Sequence, residues 1–159
     1  MYTGNNMSVI GILVIGLTAM CGHAMAQSSS DVEGAKAASK AFYSALSVID
    51  NGAALDKVVA HTSYVTLVGP RDKTVRVGYD AWRTYWPQAN KLYVARKISL
   101  SDQHIYANGN LAYEMGHESG IVKLKNGKER KADLIVTNVY EKIDGHWLMI
   151  SHHTHPKPK

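Results

Sequence analysis

The chain has 159 residues, of which 45% are apolar and 19% charged, with 18 Lys and Arg against 13 Asp and Glu for a net charge of +5, and it has a single cysteine. These proportions describe one globular domain with one hydrophobic core and exclude a disordered chain, collagen-like repeats and a long coiled coil. Cys21 alone can form neither an internal disulfide nor a four-cysteine zinc site.

The first element is apolar. Val9 to Met20 reads VIGILVIGLTAM without a charge and is followed by Ala24-Met25-Ala26 and then Gln27-Ser28-Ser29-Ser30. An apolar run of this length before an A-x-A site predicts a secretory signal peptide over 1–26, too short to cross a bilayer core of roughly 30 Å as a helix. No Lys or Arg precedes the run, and Met7 is an alternative start. An uncleaved anchor is the first rival reading. A lipoprotein on Cys21 is the second, and Met20 before that cysteine fits it poorly. Cleavage after Ala26 leaves a thiol-free domain, 27–159, for the periplasm or the exterior, with no stable membrane insertion.

Ser30-Asp31-Val32-Glu33 has the form of a capping box, and Ala35, Ala38, Phe42, Ala45, Leu46 and Ile49 then recur at helical spacing up to Asn51-Gly52. This predicts a helix over about 31–50. A short helix over 53–60 follows, then strands at 64–68 and 74–77. Trp82, Tyr85 and Trp86 share one face of the next helix, which Pro87 ends or kinks. Beyond Lys91, the dipeptides Asn108-Gly109, Asn126-Gly127 and Asp144-Gly145 separate β-rich runs at 93–107, 110–124, 128–142 and 146–155. Each dipeptide suits a type I′ hairpin, so the runs predict a four-stranded antiparallel meander. Helices followed by a meander make an α+β domain, and long strands must coil, which predicts a cone-shaped barrel with a cavity at its open end.

Both faces of this sheet are apolar. Leu111, Tyr113, Met115 and Ile121 lie on one side of their strand, with Val122 and Leu124 on the other; Trp147 and Met149 alternate with Leu148 and Ile150. Helices can cover only one face, so the outer one is expected to bury itself in a homodimer.

The strings FYSAL, VTLVGPRDKTVRVGYDAWRTYW, GNLAYEMG and TNVYEKIDGHWLMISHH, in this order, resemble the SnoaL-like branch of the nuclear transport factor two-like superfamily, which includes ketosteroid isomerase and the calcium/calmodulin-dependent kinase association domain. The similarity covers nearly all of 31–155. It implies a cone-shaped α+β barrel, commonly dimeric, with a pocket between helices and the concave sheet, and it implies no single activity. Ketosteroid isomerase-like members place a carboxylate near the strand after the first helices, yet 61–71 (HTSYVTLVGPR) contains no Asp or Glu. Many relatives carry an arginine two residues before the threonine that here is Thr137; this chain has Ile135 there.

Histidines carry the chemistry the sequence offers. His117 shares an otherwise apolar strand face with Tyr113 and Met115, and an imidazole titrates near neutrality, which makes it an acid-base candidate; a structural histidine bonded to a tyrosine hydroxyl is the alternative. His153 and His155 project together at the end of the last strand while His152 points away, so a divalent metal with His117 as third ligand competes with solvent-facing imidazoles or a single pocket histidine. The latter readings are preferred, and neither a metal nor a cofactor is assigned. Glu114, Glu118 and Asp133 are the nearby carboxylates; strict alternation puts Glu114 and Glu118 on the face opposite His117, a β-bulge would reverse that, and the base stays unassigned.

Nine tyrosines against one phenylalanine predict a pocket for a small apolar or aromatic, partly polar molecule. Tyr43, Trp82, Trp86 and Thr137 are the candidates to bind the ligand, although the two tryptophans are more readily read as sealing the core between helix and sheet, and His117, His153 and Tyr113 are the catalytic candidates for isomerisation, dehydration or hydrolysis without a cofactor. A non-catalytic binding or association module is the alternative. No G-x-S-x-G, G-x-G-x-x-G or Walker string occurs. The excess charge is local: the segment Lys123–Lys131 and the tail lysines 157 and 159 account for it, leaving a nearly neutral body and no nucleic-acid groove.

Overall fold

The computed structural model describes Met1 and residues 28–158; the signal peptide expected over 1–26 lies outside them but for Met1. Among the described residues no helix is long and apolar enough to cross a membrane.

Helix α1 spans Ser29–Leu46. Its cap is Ser28, two residues earlier than the sequence predicts, because the Ser28 hydroxyl accepts the Asp31 amide at 3.4 Å. The buried residues Ala35, Ser39, Phe42, Tyr43 and Leu46 form its inner stripe. The helix stops four residues short of the expected end. Asn51-Gly52 serves the next helix instead: Asp50 accepts the amides of Gly52 and Ala54 at 2.7 and 3.0 Å, and Gly52 (φ +95°) leads into α2, Ala53–Asp56. Helix α3, Tyr79–Asn90, runs on past Pro87, and its buried Trp82 and Trp86 close the core.

Strands β1 (Thr66–Val68) and β2 (Arg76–Val77) precede α3, and β3 (Tyr93–Asn108), β4 (Leu111–Leu124), β5 (Glu129–Ile143) and β6 (His146–Pro156) follow it. The four long strands match the predicted runs within a residue or two. They form the expected antiparallel meander, but the two short strands extend it into a six-stranded mixed sheet of order β2-β1-β6-β5-β4-β3, in which β1 runs parallel to β6. Of the three hairpins only Asp144-Gly145, with φ +50° and +81°, takes type I′ geometry. Asn108 pairs with Leu111, so Gly109-Asn110 is the first turn, and a positive φ at Gly109 alone matches type II′. Lys125-Asn126-Gly127 makes a three-residue loop closed by the Gly127 amide on the Leu124 carbonyl at 3.0 Å.

The sheet is curved, and its curvature has local causes. In β3 the pairing shifts between Ser101 and His104 around Asp102 (φ +50°), a bulge that bends the strand. In β4 the inward position opposite Ile98 is Gly120, where a Cβ would stand 2.0 Å from the Lys97 carbonyl oxygen. The helices lie in the resulting concavity. Phe42, Leu55, Val59, Val65, Leu67, Trp82, Tyr140 and Met149 form the buried core between them, each worth roughly 1.5–3 kcal/mol for full burial of a large side chain.

Candidate functional site

Strict alternation holds along β4, with no register shift against β5. Ala112, Glu114, Glu118 and Leu124 are buried on the concave face, while Leu111, Tyr113, Met115 and Ile121 are exposed on the convex one. The same alternation sends Val136, Asn138 and Tyr140 of β5 and His152 and Thr154 of β6 inward. A cavity of about 380 Å³ opens between this face, α3 and the β1–β2 loop. Its deep wall carries Arg96, Ile98, Glu118, Val122 and His152; Tyr85, Trp86 and Ala89 of α3 face them, and Arg71, Asp72, Arg130, Lys131 and Asp133 stand around it.

Behind the cavity lies a connected polar network. Glu114 is fully buried, and its carboxylate accepts from Asn138 Nδ2 at 2.7 Å, from the Tyr140 hydroxyl at 2.8 Å and from Gln103 Nε2. Asn138 Nδ2 also approaches the Tyr43 hydroxyl at 3.2 Å. Because that amide nitrogen donates, Asn138 Oδ1 is left as an acceptor, and the 2.8 Å contact from His152 Nδ1 must carry the imidazole proton. His152 Nε2 is therefore a lone pair, 4.0 Å from Glu118 Oε1. Burial first, then the charges of His153 and Arg96, push His152 down to about 3, so this contact joins a neutral imidazole to a carboxyl group and is not an ion pair.

Glu118 differs from Glu114 in that it borders the cavity. It is 3% exposed, and its Oε1 accepts the Tyr43 hydroxyl at 2.8 Å. Among the described residues no hydrogen bond reaches Oε2. Burial pushes Glu118 up to about 7, the Tyr43 bond and Arg96 opposing that rise and the neighbouring Glu114 adding to it. Tyr43 is itself raised, chiefly by burial and then by Glu118, so its phenol stays a donor at any working pH. Arg96 of β3 is lowered by burial, and its guanidinium lies 5.3 Å from the Trp86 ring centre and 5.7 Å from that of Tyr93.

The residues singled out from sequence divide between the two faces. Tyr43 and Trp86 belong to the concave side, Trp86 on the cavity wall and Tyr43 bonded to Glu118. Trp82 is buried against α2 and opens on a shallow groove with Asn51 and Ala53, not on the cavity. His117, Tyr113, His153 and Thr137 lie on the convex face. Tyr113 is 49% exposed and stacks on Tyr106 at 5.8 Å, His117 Nε2 bonds Asp133, and Thr137 pairs with Met115 and His153 across the sheet. None of these four borders the cavity. Ile135, the position of the relatives' arginine, also faces outward, opposite His117 and His155. Among the described residues no group of three or more His, Cys, Asp or Glu is placed to hold a metal ion.

The sequence singled out neither Arg96 nor Asn138; strict alternation set Glu118 opposite His117, with a bulge left open to reverse it, and His152 opposite His153, while the pocket was expected on the His117 face. Their signal was present: Glu114, Gly116, Glu118 and Gly120 are alternate residues, so that two carboxylates alternate with two glycines on one strand face. The other face, with Tyr113 and Met115, is the more apolar, and it drew the pocket assignment because apolar character is shared by pocket walls and by faces that await a partner.

Comparison with known proteins agrees with this architecture. The model of the SnoaL-like domain matches residues 35–155. Among solved structures, a proposed dehydratase of the NTF2-like family from Streptomyces avermitilis is similar at 21% identity and a TM-score of 0.72, covering 82% of this chain and 98% of that one. An NTF2-like superfamily protein from Salmonella enterica serovar Typhimurium superposes at 0.74 with 15% identity, covering 82% and 94%. A ketosteroid isomerase-like protein from Erwinia carotovora atroseptica gives 0.71 at 16% identity, covering 83% and 100%. No curated protein matches the sequence. At these identities the structural likeness speaks for the fold, and the match over 35–155, together with the cone of helices and curved sheet, makes the chain a member of the SnoaL-like domain family.

Proposed function

We propose that this domain performs cofactor-independent acid-base chemistry on a small, largely apolar organic molecule held in the cavity beneath α3, with Glu118 moving the proton. The observation that carries this reading is the Glu118 carboxyl group: buried, bordering the cavity, free at Oε2 and balanced near pH 7 between its two forms. A general base works best when its pKa lies near the operating pH. Oε2 takes a proton from a carbon activated by a neighbouring carbonyl, while Tyr43 fixes Oε1 and keeps the carboxylate from rotating. The same group returns the proton to another carbon in an isomerisation or to a departing hydroxyl in a dehydration. His152, neutral down to about pH 3, offers Nε2 as an acceptor for a ligand hydroxyl or for protonated Glu118. Trp86 and Tyr85 wall the ligand's apolar body.

Proton–deuterium exchange at the α-carbon of phenylacetone, followed by NMR in D₂O, tests the reading. The wild-type chain should accelerate exchange with a midpoint near pH 7, and Glu118→Gln should lower the rate by about 10² or more. An unchanged rate in Glu118→Gln would sink the proposal.

Two further expectations belong to the same reading. The protein is exported, so the chain recovered from the periplasm or medium should begin at Gln27 by mass spectrometry. It works as a homodimer, because Leu111, Tyr113, Met115 and Ile121 form a half-exposed apolar row on the convex face that a second copy of that face would cover.

A further inference from the structure

We infer that Arg96 makes the cavity a receptor for a small monocarboxylate with an apolar or aromatic body, the carboxylate resting on the guanidinium and the reacting carbon reaching toward Glu118. The inference deepens the proposed function and rests on it for the identity of the site. Arg96 is 9% exposed and borders the cavity. Its Nε donates to the Leu46 carbonyl, the last residue of α1, whereas Nη2 is buried and has no hydrogen-bond partner. Among the described residues the guanidinium forms no ion pair within 4.0 Å.

A buried cation with a donor left over is costly for the free protein, and the faces of Trp86 and Tyr93 together with one helix-end carbonyl compensate only part of that cost. An anionic oxygen supplies what is missing, and a planar carboxylate matches the guanidinium edge. One arginine amid tryptophan, tyrosine and leucine side chains suits one carboxylate on an apolar body better than a phosphate dianion, which needs several donors. Around the cavity, the surroundings point the same way. Arg71, Arg130 and Lys131 stand against Asp72 and Asp133, and both acids are already engaged, by Arg76 and His117. An incoming anion therefore meets a positive approach.

Calorimetric titration of the purified chain with phenylacetate and with its neutral counterpart phenylacetamide tests the inference. The wild type should bind the acid at least about tenfold more tightly than the amide. Arg96→Gln should erase that preference to within roughly twofold, and Arg96→Lys, which keeps the charge, should restore part of it. Equal affinity of acid and amide for the wild type overturns the inference. So does a full preference in a folded Arg96→Gln, or the absence of binding by phenylacetate, benzoate and hexanoate alike. If Arg96→Gln does not fold, the wild-type comparison and Arg96→Lys decide. Glu118→Gln separates the two readings: carboxylate preference with undiminished exchange activity removes the acid-base role alone, and lost activity without any preference removes the anion site alone.

Discussion

Glu118 and His152 titrate in opposite senses, and stability carries the mark of both. The folded state raises Glu118 from 4.5 to about 7, so it holds a proton that the unfolded chain has released; its contribution is present below about pH 4.5 and is lost as pH rises through about 7. His152 is depressed from 6.5 to about 3, so the unfolded chain takes up a proton that the folded one refuses, and stability falls as pH drops below about 6.5 toward 3. Between about pH 4.5 and 6.5 the two slopes cancel. Urea denaturation across that range should give a nearly flat stability for the wild type. Glu118→Gln should become less stable toward acid by about 5 kcal/mol over the full range of His152, and His152→Asn less stable toward neutral pH by about 3 kcal/mol over that of Glu118. Parallel behaviour of the two variants would contradict the assignment. This pair was half legible in the sequence. Alternation placed both residues on the face opposite His117 and His153, but only the folded structure tells which face is concave, because curvature arises from the Asp102 bulge and from close contact at Gly120, neither of which leaves a periodic signal.

The long strands were readable because a glycine at positive φ stands in each turn between them, at Gly109, Gly127 and Gly145, whereas the short strands and helix ends answered to partners distant in sequence. Thr66–Val68 becomes a strand by lying parallel to Ser151–His153, some eighty positions away, and no local pattern announces such a pairing. Likewise Asn51-Gly52 reads equally well as the end of one helix or the beginning of the next, and the Asp50 side chain decides for the second by taking two amides of the following turn. The glycine at 120 is the element-level feature most exposed to challenge. Gly120→Ala drives a methyl group into the backbone of β3, and chemical denaturation should register a loss of about 3 kcal/mol. Gly127→Ala, with nothing within 4 Å of the added carbon, should cost less, about 1 kcal/mol, since only its φ of +79° is penalised. Equal losses at the two sites would contradict the role given to the β3–β4 contact in bending the sheet.

At the scale of the whole molecule, one sheet separates a concave face that carries the cavity from a convex face that carries an exposed apolar row. Met115→Glu places a charge in the middle of the convex apolar row without touching the cavity, so light scattering should report a monomer while far-ultraviolet circular dichroism and phenylacetate affinity are unchanged. A wild-type chain of monomeric mass at micromolar concentration would contradict the proposed homodimer. The cavity, for its part, is assembled from two kinds of structure. Its deep wall is strand, tied into the meander on both sides. Its outer wall includes the short turn after β1, held by Asp72 through the Gly69 amide at 2.7 Å and through Arg76, and by the Val68 carbonyl that accepts from Thr154 at 3.3 Å. Few core side chains come from that turn. The width and mouth of the cavity can therefore be altered there by insertion or exchange of residues 70–75, leaving Glu118 and Arg96 on the strand wall untouched, so that one scaffold can carry differently shaped cavities.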